Sequence, residues 1–539
     1  MSRFIHKIAL LVAGLAVVSA CGRQPDAPET QSATCVTDLS CPAGEECGDG
    51  GCVPVAPTLY PHIQLGSALL RGYLDADEMA WRATHFDALV GRVANNADQL
   101  RALNPNIRSF EYWNARHHWY DDLDNEAMNW ASAHGYDGED FYLHYKEDVE
   151  VPTWESVTLV VGFPPGVVPG WNPEWQPGDP PASAPDRASS RVFGFNSGQH
   201  EPWYMVNVTH PGLRRFVTEF LISVLDGSRQ YTSYASGPIE GVMADEALYY
   251  AIYNEGLLGK STEFFGVPLD EDHPYAVGFE TLYPELAAAF HQHFRRTIDV
   301  MPNFATPYFL RLDNRCAQNV QMTTPWIWAE VWLADRGTYT PTSGSYRAIT
   351  YEGDYDQSVV KIIGQTRRGG RRLLCARDLT GGGAGTSRAK LFSLALYYLL
   401  HNGNTFYMYN SVNSHAGVGH LSTWQWNPAV EFDVGQPAPI PPGATDFEGK
   451  ADTNEHYLFA TGPDPFNSSL SYRVLARRFT NALVLVKMLP TGSVNDDRTI
   501  TTHPLDGSYA VLGADGTLGD VVTSAQIRNN EGLILVPVN

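Results

Sequence analysis

The chain of 539 residues has a formal net charge of -23, and 43% of its residues are hydrophobic and 12% aromatic. These proportions exclude a disordered scaffold, because a chain of this length and apolar content buries a large core with room for a second domain. So acidic a surface repels phosphate backbones, and we therefore expect no nucleic-acid partner. The 13 Trp and 27 Tyr favour a neutral partner such as a sugar ring, although aromatic side chains also fill cores.

The first twenty residues, MSRFIHKIALLVAGLAVVSA, are typical of a signal peptide, with a basic start and an apolar run too short to span a membrane. Residues 18 to 21, VSAC, resemble a bacterial lipobox. The resemblance implies a lipid anchor on Cys21 that ties the protein to a membrane surface outside the cytoplasm. Gly22 follows where a retention signal usually has Asp, which favours the outer membrane. The alternative is an ordinary cleaved signal peptide with a coincidental cysteine.

A cysteine-rich segment follows, and we assign residues 21 to 56 to a disulfide-stapled spacer between the anchor and the catalytic body; the alternative is a small binding module. Outside the cytoplasm disulfides are favoured over zinc, and we expect two bridges within this segment. Three pairings of four cysteines are open. The cysteines are Cys35, Cys41, Cys47 and Cys52. Cys316 and Cys375 form either a third bridge or two buried thiols.

Residues 57 to 430 alternate apolar runs with amphipathic stretches, which predicts repeated strand-helix units around a parallel sheet. Eight runs are candidate strands, and their near-continuous apolar character suits strands that are covered on both faces. They span residues 63–69, 86–92, 107–113, 240–245, 300–305, 326–332, 372–377 and 405–410.

The helix signals between these strands are apolar residues at helical spacing with capping residues at each end, and they predict helices near 211–225, 282–299 and 386–403. A long insertion lies at about 114–202. Two further strand candidates, at 157–163 and 203–208, lie between the third and fourth predicted strands, and either could replace one of the eight. So long a connection is either functional or mobile.

The pattern changes after residue 430, where a Pro-rich linker (434–446) precedes short alternating strands near 472–479, 482–489 and 533–539. These features predict a small antiparallel β domain over residues 431 to 539.

Three groups of motifs resemble a bacterial glycoside hydrolase-like family. They are NPNIRSFEYWN, VNVTHPGLRRFVTEFL and GVMADEA in the first half; TPWIWAEVW and LALYYLLHNGNTFYMY in the second; and RRFTNALVLVKMLPTG, DGSYAVLG and NEGLILVPV in the tail. The resemblance implies an α/β fold, a (β/α)8 TIM barrel followed by a small antiparallel β-sandwich, and a carbohydrate substrate.

Two acids at strand ends are the candidate catalytic residues. Asp245 ends the fourth predicted strand and Glu330 lies on the sixth, so their carboxylates would face each other across the mouth of a barrel. Glycoside hydrolysis needs one ionised and one protonated carboxyl group. We expect Asp245 to act as nucleophile or base, and Glu330 as general acid, because the neighbouring tryptophans favour its neutral form. The α-galactosidase-like superfamily of barrels is similar in this placement. The alternative for each is a strand-end acid with a structural role.

Further polar and aromatic residues at the predicted strand ends are candidates for substrate binding, although each alone is often structural. They are Arg71, Glu111, Tyr112, Asn114, Asn303, Trp328, Asp378 and Tyr409.

The sequence has no metal-ligand spacing, P-loop, GxSxG or dinucleotide-binding fingerprint in the right context, so we expect neither a metal nor a cofactor. The sequence therefore predicts an extracytoplasmic glycoside hydrolase, with a membrane partner only through Cys21. A glycan-binding lipoprotein without catalysis, built on the same barrel, is the alternative.

Overall fold

The computed structural model describes most of the barrel and the C-terminal domain. The residues it describes are 45–48, 51–54, 64–69, 76–91, 93, 96–115, 117–118, 121–145, 191–195, 202–228, 239–245, 262, 264, 267, 273–303, 324–334, 359, 361–366, 369–378, 384–411, 427–439, 441, 456–490, 493 and 497–538.

The described strands are β1 (Glu45–Gly48), β2 (Gly51–Pro54), β3 (Gly66–Leu69), β4 (Ala88–Gly91), β5 (Arg108–Asn114), β6 (His117–His118), β7 (Phe193–Phe195), β8 (Pro202–Met205), β9 (Gly241–Asp245), β10 (Asp299–Pro302), β11 (Trp326–Ala334), β12 (Arg371–Asp378), β13 (Thr405–Ser411), β14 (Tyr457–Pro463), β15 (Ser471–Arg478), β16 (Leu483–Lys487), β17 (Thr501–Leu512), β18 (Leu518–Ile527) and β19 (Glu531–Pro537). The described α-helices are α1 (Ala76–His85), α2 (Ala97–Leu103), α3 (Asp121–Ala133), α4 (Pro211–Leu225), α5 (Pro274–Phe294), α6 (Lys361–Thr366) and α7 (Ala384–Leu400).

Eight parallel strands close into a barrel. Strands β3, β4, β5, β9 and β10 form one parallel sheet, and β11, β12 and β13 form a second. Two parallel bridges join these sheets at both edges, Leu65 to Tyr407 and Asn303 to Trp328. The ring order is therefore β3-β4-β5-β9-β10-β11-β12-β13, and all eight predicted strands are confirmed as its members. The protein is an α/β protein with a (β/α)8 barrel.

Alternate residues of the strands build two separate cores. One core fills the barrel and consists of Ala88, Val90, Phe110, Tyr112, Met243, Met301, Trp326, Trp328, Leu373, Cys375, Phe406 and Met408. The other lies between the strands and the surrounding helices. Gly241 allows close packing inside the barrel, because a Cβ atom there would lie 2.5 Å from the Asp299 carbonyl oxygen and 2.6 Å from Phe110 Cδ1. Cys375 is a buried free thiol and not half of a disulfide, which decides between the two states predicted for it. Burial raises the pKa of this thiol.

Two helices of the barrel begin at a His-Pro pair. His210 Nδ1 accepts the backbone N–H of Gly212 at 3.1 Å before α4, and His273 Nδ1 accepts the N–H of Tyr275 at 3.1 Å before α5. In both cases the proline fits the first helical turn, where its missing N–H costs nothing. The predicted α4 and α7 are confirmed. The prediction that a helix begins at residue 282 is wrong, because α5 already begins at Pro274.

The insertion after β5 contains α3 and a small antiparallel sheet with the strand order β6-β8-β7. A buried arginine holds it together. Arg191 donates to both carboxylate oxygens of Glu139, at 2.9 and 2.6 Å, and its guanidinium lies 3.8 Å from the Tyr142 ring centroid. The strand candidate at 203–208 corresponds to β8 and not to a barrel strand, and the one at 157–163 lies outside the described residues.

The C-terminal domain is a six-stranded antiparallel sheet with the order β14-β15-β16-β19-β17-β18, which confirms the predicted antiparallel β domain after the barrel. The domain packs on α7. Arg477, a buried residue of β15, donates to the carbonyl oxygens of Tyr398 and Leu399 at 2.8 and 3.2 Å. These carbonyls belong to the last turn of α7, where a cation complements the helix dipole. Gly532 lets β19 approach the same helix, since a Cβ there would lie 2.5 Å from Ala395 Cβ.

Strands β1 and β2 pair antiparallel. In the sequence they are separated by Asp49 and Gly50, a dipeptide that favours tight hairpin turns. Cys47 and Cys52 are directly opposite in the register of these strands. Of the other cysteines of the predicted spacer, Cys35 and Cys41 lie outside the described residues, as does the candidate anchor Cys21. Within the described part of the chain, no helix has the length and hydropathy needed to span a membrane.

Candidate active site

Strand β9 leaves the buried core at its last residue, Asp245. The four preceding residues of the strand, Gly241 to Ala244, are buried, whereas Asp245 is partly exposed. It lies at the carboxyl end of a barrel strand, the end at which barrel enzymes carry their catalytic groups. We call this end of the barrel the mouth.

Two neighbouring strands hold the Asp245 carboxylate. The Tyr112 hydroxyl, from β5, donates to Oδ2 at 2.7 Å, and Asn303 Nδ2, just after β10, donates to Oδ1 at 2.7 Å. Strands β5 and β10 flank β9 on its two sides, so the two donors approach from opposite directions. Each carboxylate oxygen thus accepts a hydrogen bond, and this arrangement stabilises the ionised form and fixes its orientation.

Backbone bonds reinforce the position of this cluster. The N–H of Asn303 donates to the Ala244 carbonyl oxygen at 2.8 Å, and the N–H of Ala115 donates to the Asp245 carbonyl oxygen at 3.0 Å. Asn114 is the direct neighbour of Asp245 in the β5–β9 register and is buried. Four predicted site residues, Tyr112, Asn114, Asp245 and Asn303, therefore come together at the mouth.

Glu330 lies on β11, and one strand, β10, separates this strand from β9, as the sequence predicts. The pairing of β11 with β12 changes register between Ala329 and Leu333, so Glu330 lies at a bulge or irregularity. Such irregularities often occur where a strand redirects a side chain near an active site. The side chain of Glu330 lies outside the described part, so the catalytic pair stays a prediction.

The structure places three predicted substrate-binding residues away from the mouth. Trp328 is fully buried within the core that fills the barrel. Glu111 faces the helices and accepts the Val93 N–H at 3.0 Å. Tyr409 is fully buried in the outer core. The sequence argument failed at these positions because a strand end carries side chains on both faces and only one face lines the mouth.

For two other candidate substrate-binding residues, the side chains lie outside the described part of the chain. Arg71 lies outside the described residues, and Asp378 is the last residue of β12, with only its backbone described. Their substrate-binding roles stay predictions. Among the described residues, no group of three or more His, Cys, Asp or Glu side chains is arranged to hold a metal ion.

No protein-family model matches the sequence, and the search of curated proteins found no match. Solved structures resemble the chain distantly. The glycoside hydrolase domain of a PelA variant from Pseudomonas aeruginosa is 10% identical, with a TM-score of 0.33 over 67% of this chain and 99% of that one. The trehalulose synthase MutB from Pseudomonas mesoacidophila is 11% identical, with a TM-score of 0.41 over 90% of this chain and 100% of that one. An isomaltulose synthase variant from Erwinia rhapontici is 11% identical, with a TM-score of 0.40 over 88% of this chain and 98% of that one. The assignment of the barrel to this chain rests on its own strand pairing.

Proposed function

We propose that this protein is a glycoside hydrolase that uses Asp245 and Glu330 as its two carboxyl groups. The observation that carries the proposal is the double hydrogen bond to the Asp245 carboxylate at the mouth. An acid that merely ends a strand needs no donors from both neighbouring strands, whereas a nucleophile or base must be held ionised and in one orientation.

Glu330 is the proposed general acid. One strand, β10, lies between its strand and β9, as expected for two groups that act from opposite sides of a sugar. Trp328, two residues before Glu330 on the same strand, is fully buried, and apolar side chains beside a carboxylic acid favour its protonated form. In the reaction, Glu330 gives its proton to the leaving glycosidic oxygen, while Asp245 attacks the anomeric carbon or activates a water molecule.

The test is the release of reducing ends from a broad panel of oligo- and polysaccharides, by the wild type, Asp245→Asn and Glu330→Gln. We expect each substitution to lower kcat/KM by about a thousandfold. Glu219→Gln on α4 is the matched control, because this acid is exposed and pairs with Arg215 on the helical surface. Glycan affinity without reducing-end release would favour the binding-protein alternative, and undiminished activity in both variants would refute the assignment.

The stereochemistry of the product then separates two mechanisms. If Asp245 is a nucleophile, the anomeric configuration is retained. In an Asp245→Ala variant, azide can then occupy the place of the missing carboxylate and should restore activity by forming a glycosyl azide. If Asp245 activates water, the configuration is inverted. Proton NMR of the first product formed distinguishes these outcomes.

We also propose that the protein is lipid-anchored at Cys21 and faces the periplasm or the exterior. The support is the sequence of residues 18 to 21 behind an apolar run. Cys21→Ser should abolish labelling by a fatty-acid analogue and move the protein from the membrane to the soluble fraction. Unchanged labelling would refute the anchor.

A further inference from the structure

The strand pairing of the barrel closes on itself with a fixed offset. Following the register from Asn114 once around the ring leads back to β5 at Asn106, an offset of 114 - 106 = 8 residues. Where a pair of strands ends early, the register is extended by one or two residues. The positions passed on the way are Asp245, Asn303, Trp328, Leu373, Phe406, Gln64 and Phe86. This offset is that of TIM barrels, whose interiors are filled by layers of four side chains from alternate strands.

The offset shows which residues share a layer. A layer is followed by moving one residue toward the carboxyl end for every strand passed. From Met243, this rule gives a layer of four buried apolar residues of the barrel core, Val90, Met243, Trp328 and Met408. At the end opposite the mouth, Arg108 and Arg371 lie over Trp326, with their guanidinium carbons 5.7 and 5.6 Å from its ring centroid. An interior this full leaves the mouth as the place where a ligand meets interior-facing side chains.

The layers nearest the mouth are polar. Tyr112 and Asn303 share the layer above the one just described, and both donate to Asp245, which lies one layer higher. On β11, the rule leads from Asp245 to Glu330, and on β13 it leads to Asn410. The fourth position of this layer is residue 92, which lies outside the described residues. Both proposed catalytic acids therefore share one layer, and Asn410 is its third member.

The alternation along β13 places Asn410 on the interior face. Phe406 and Met408 belong to the core that fills the barrel, whereas Tyr407 and Tyr409 belong to the outer core. Strand β13 keeps its register with β12 as far as Ser411. Position 410 therefore continues the interior series of 406 and 408. Tyr409, which the sequence favoured as a substrate-binding residue, occupies the outer face, and its neighbour occupies the inner one.

Asn410 lies across the barrel from Asp245, because β13 and β9 are the eighth and fourth strands of the ring. Eight strands about 4.8 Å apart and tilted by about 36° give a barrel roughly 15 Å in diameter. Two short side chains at opposite sides of such a ring leave a gap that accommodates one sugar ring. Glu330, on the sixth strand, lies between them at the same level.

We propose that Asn410 binds the sugar unit whose anomeric carbon meets Asp245, through a hydroxyl group on the far side of that sugar ring. This role rests on the proposed glycosidase function and extends it to the recognition of the sugar that is cleaved. A carboxamide both donates and accepts hydrogen bonds, as a sugar hydroxyl does. The preferred substrate therefore has a free hydroxyl on the side of the ring away from the bond that is broken.

The experiment uses the full chain and the saccharide from which the wild type releases reducing ends. It measures kcat/KM for the wild type, Asn410→Ala and Asn410→Leu, on this saccharide and on analogues that each lack one hydroxyl of the sugar unit. Asn410→Leu nearly keeps the shape of the side chain while removing its hydrogen bonds, and thermal unfolding checks that both variants fold. The control is Asn106→Ala, because Asn106 is exposed and precedes β5 at the other end of the barrel.

We expect kcat/KM to fall by about 10- to 100-fold in both Asn410 variants and to stay unchanged in the control. For one analogue the wild type should show a similar loss, and Asn410→Leu should lose nothing more, because the hydroxyl and the amide form a single contact. An unchanged kcat/KM in the folded variants, or the same further loss on every analogue, would overturn the role of Asn410 and leave the two catalytic acids unaffected.

A different result separates this role from the glycosidase proposal itself. If the wild type releases no reducing ends from any saccharide, the glycosidase proposal fails, and a glycan array then measures binding alone. Binding that is about tenfold weaker in Asn410→Leu, with unchanged binding in Asn106→Ala, would still support Asn410 as a sugar-binding residue. Equal binding by the wild type and Asn410→Leu, or no binding by either, would overturn it.

Discussion

Lys487, a fully buried residue of β16, gives the sharpest test of the electrostatics of the C-terminal domain. Its ammonium group donates to the Thr499 carbonyl oxygen at 2.7 Å and to Thr501 Oγ1 at 3.2 Å, and lies 4.7 Å from the Tyr472 ring centroid. Burial is the main cause that lowers its pKa from 10.5 to about 8, and Asp464 and Glu531 oppose the change. The substitution that removes this charge is Lys487→Met.

The sign of the pH effect follows from proton binding. Between about pH 8 and 10.5 the unfolded chain holds a proton at this lysine that the folded domain does not. The free energy of unfolding therefore rises with pH through this window, and below pH 8 the folded domain carries the full cost of a buried charge. A pKa change of this size corresponds to a change of about 3 kcal/mol in the free energy of unfolding. After allowing for screening by nearby water, we expect this free energy to change by roughly 2 kcal/mol across the window.

The measurement is hydrogen exchange of the β16 amides in the full chain, at pH 7, 8, 9 and 10, for the wild type and Lys487→Met. Comparison at the same pH cancels the intrinsic exchange rate. The opening free energy of the wild type should rise relative to the variant by roughly 2 kcal/mol across the series. Lys390→Met, on α7, is the control for removing a lysine charge outside the β16 strand. A flat difference between wild type and Lys487→Met would refute the argument that burial displaces the proton.

Four further predictions concern the mouth, the domain interface, the barrel core and the hairpin. Tyr112→Phe removes one of the two donors to Asp245 and should lower kcat/KM by about 10- to 100-fold on any substrate found. The Asp245 carboxylate is still present in this variant, so retained substrate binding serves as the control. An unchanged rate would mean that the hydrogen bond from Tyr112 is only structural. Arg477→Met leaves the last carbonyls of α7 without their cation and should lower the free energy of unfolding by about 3 kcal/mol, with a smaller loss for Arg477→Lys. If Arg477→Met is as stable as the wild type in thermal unfolding, other contacts hold the C-terminal domain on α7. Gly241→Val should cost about 1 to 3 kcal/mol or more by overpacking, compared with Gly507→Ala, where the nearest atom to an added Cβ is 3.6 Å away; similar unfolding temperatures for the two variants would contradict this. A peptide map of the exported, unreduced protein should show Cys47 linked to Cys52, because directly opposite residues of an antiparallel pair have Cα separations of about 4.5 to 5.5 Å, within the range of disulfides; a map with either cysteine linked elsewhere would refute this pairing.

The eight barrel strands were predictable because each is covered on both faces and reads as a short, nearly continuous apolar run. Helix starts were harder. The predicted start at residue 211 coincides with a His-Pro pair, whereas the predicted start at 282 lies eight residues after the His-Pro pair at 273 and 274 that begins α5. Capping geometry, with a histidine nitrogen accepting the first N–H groups, decides both starts.

The candidate site was predictable only in part. Position at a strand end identified Asp245, Tyr112, Asn114 and Asn303, and the structure brings these four together. The same criterion selected Glu111 and Tyr409, whose side chains face the helices. Strand position can be read from the sequence, but the face of the barrel that a side chain occupies depends on register with the neighbouring strands.

The sequence by itself determined the class of fold, the number of barrel strands, the acid-tipped fourth strand and the antiparallel closing domain, because all of these follow from local apolar patterns. Only the tertiary structure decided that Tyr112 and Asn303 serve Asp245, that Trp328 fills the barrel, and that Arg108 and Arg371 meet over Trp326. These contacts join residues up to hundreds of positions apart. Ring closure brings them together, and no local pattern encodes which side chains then meet.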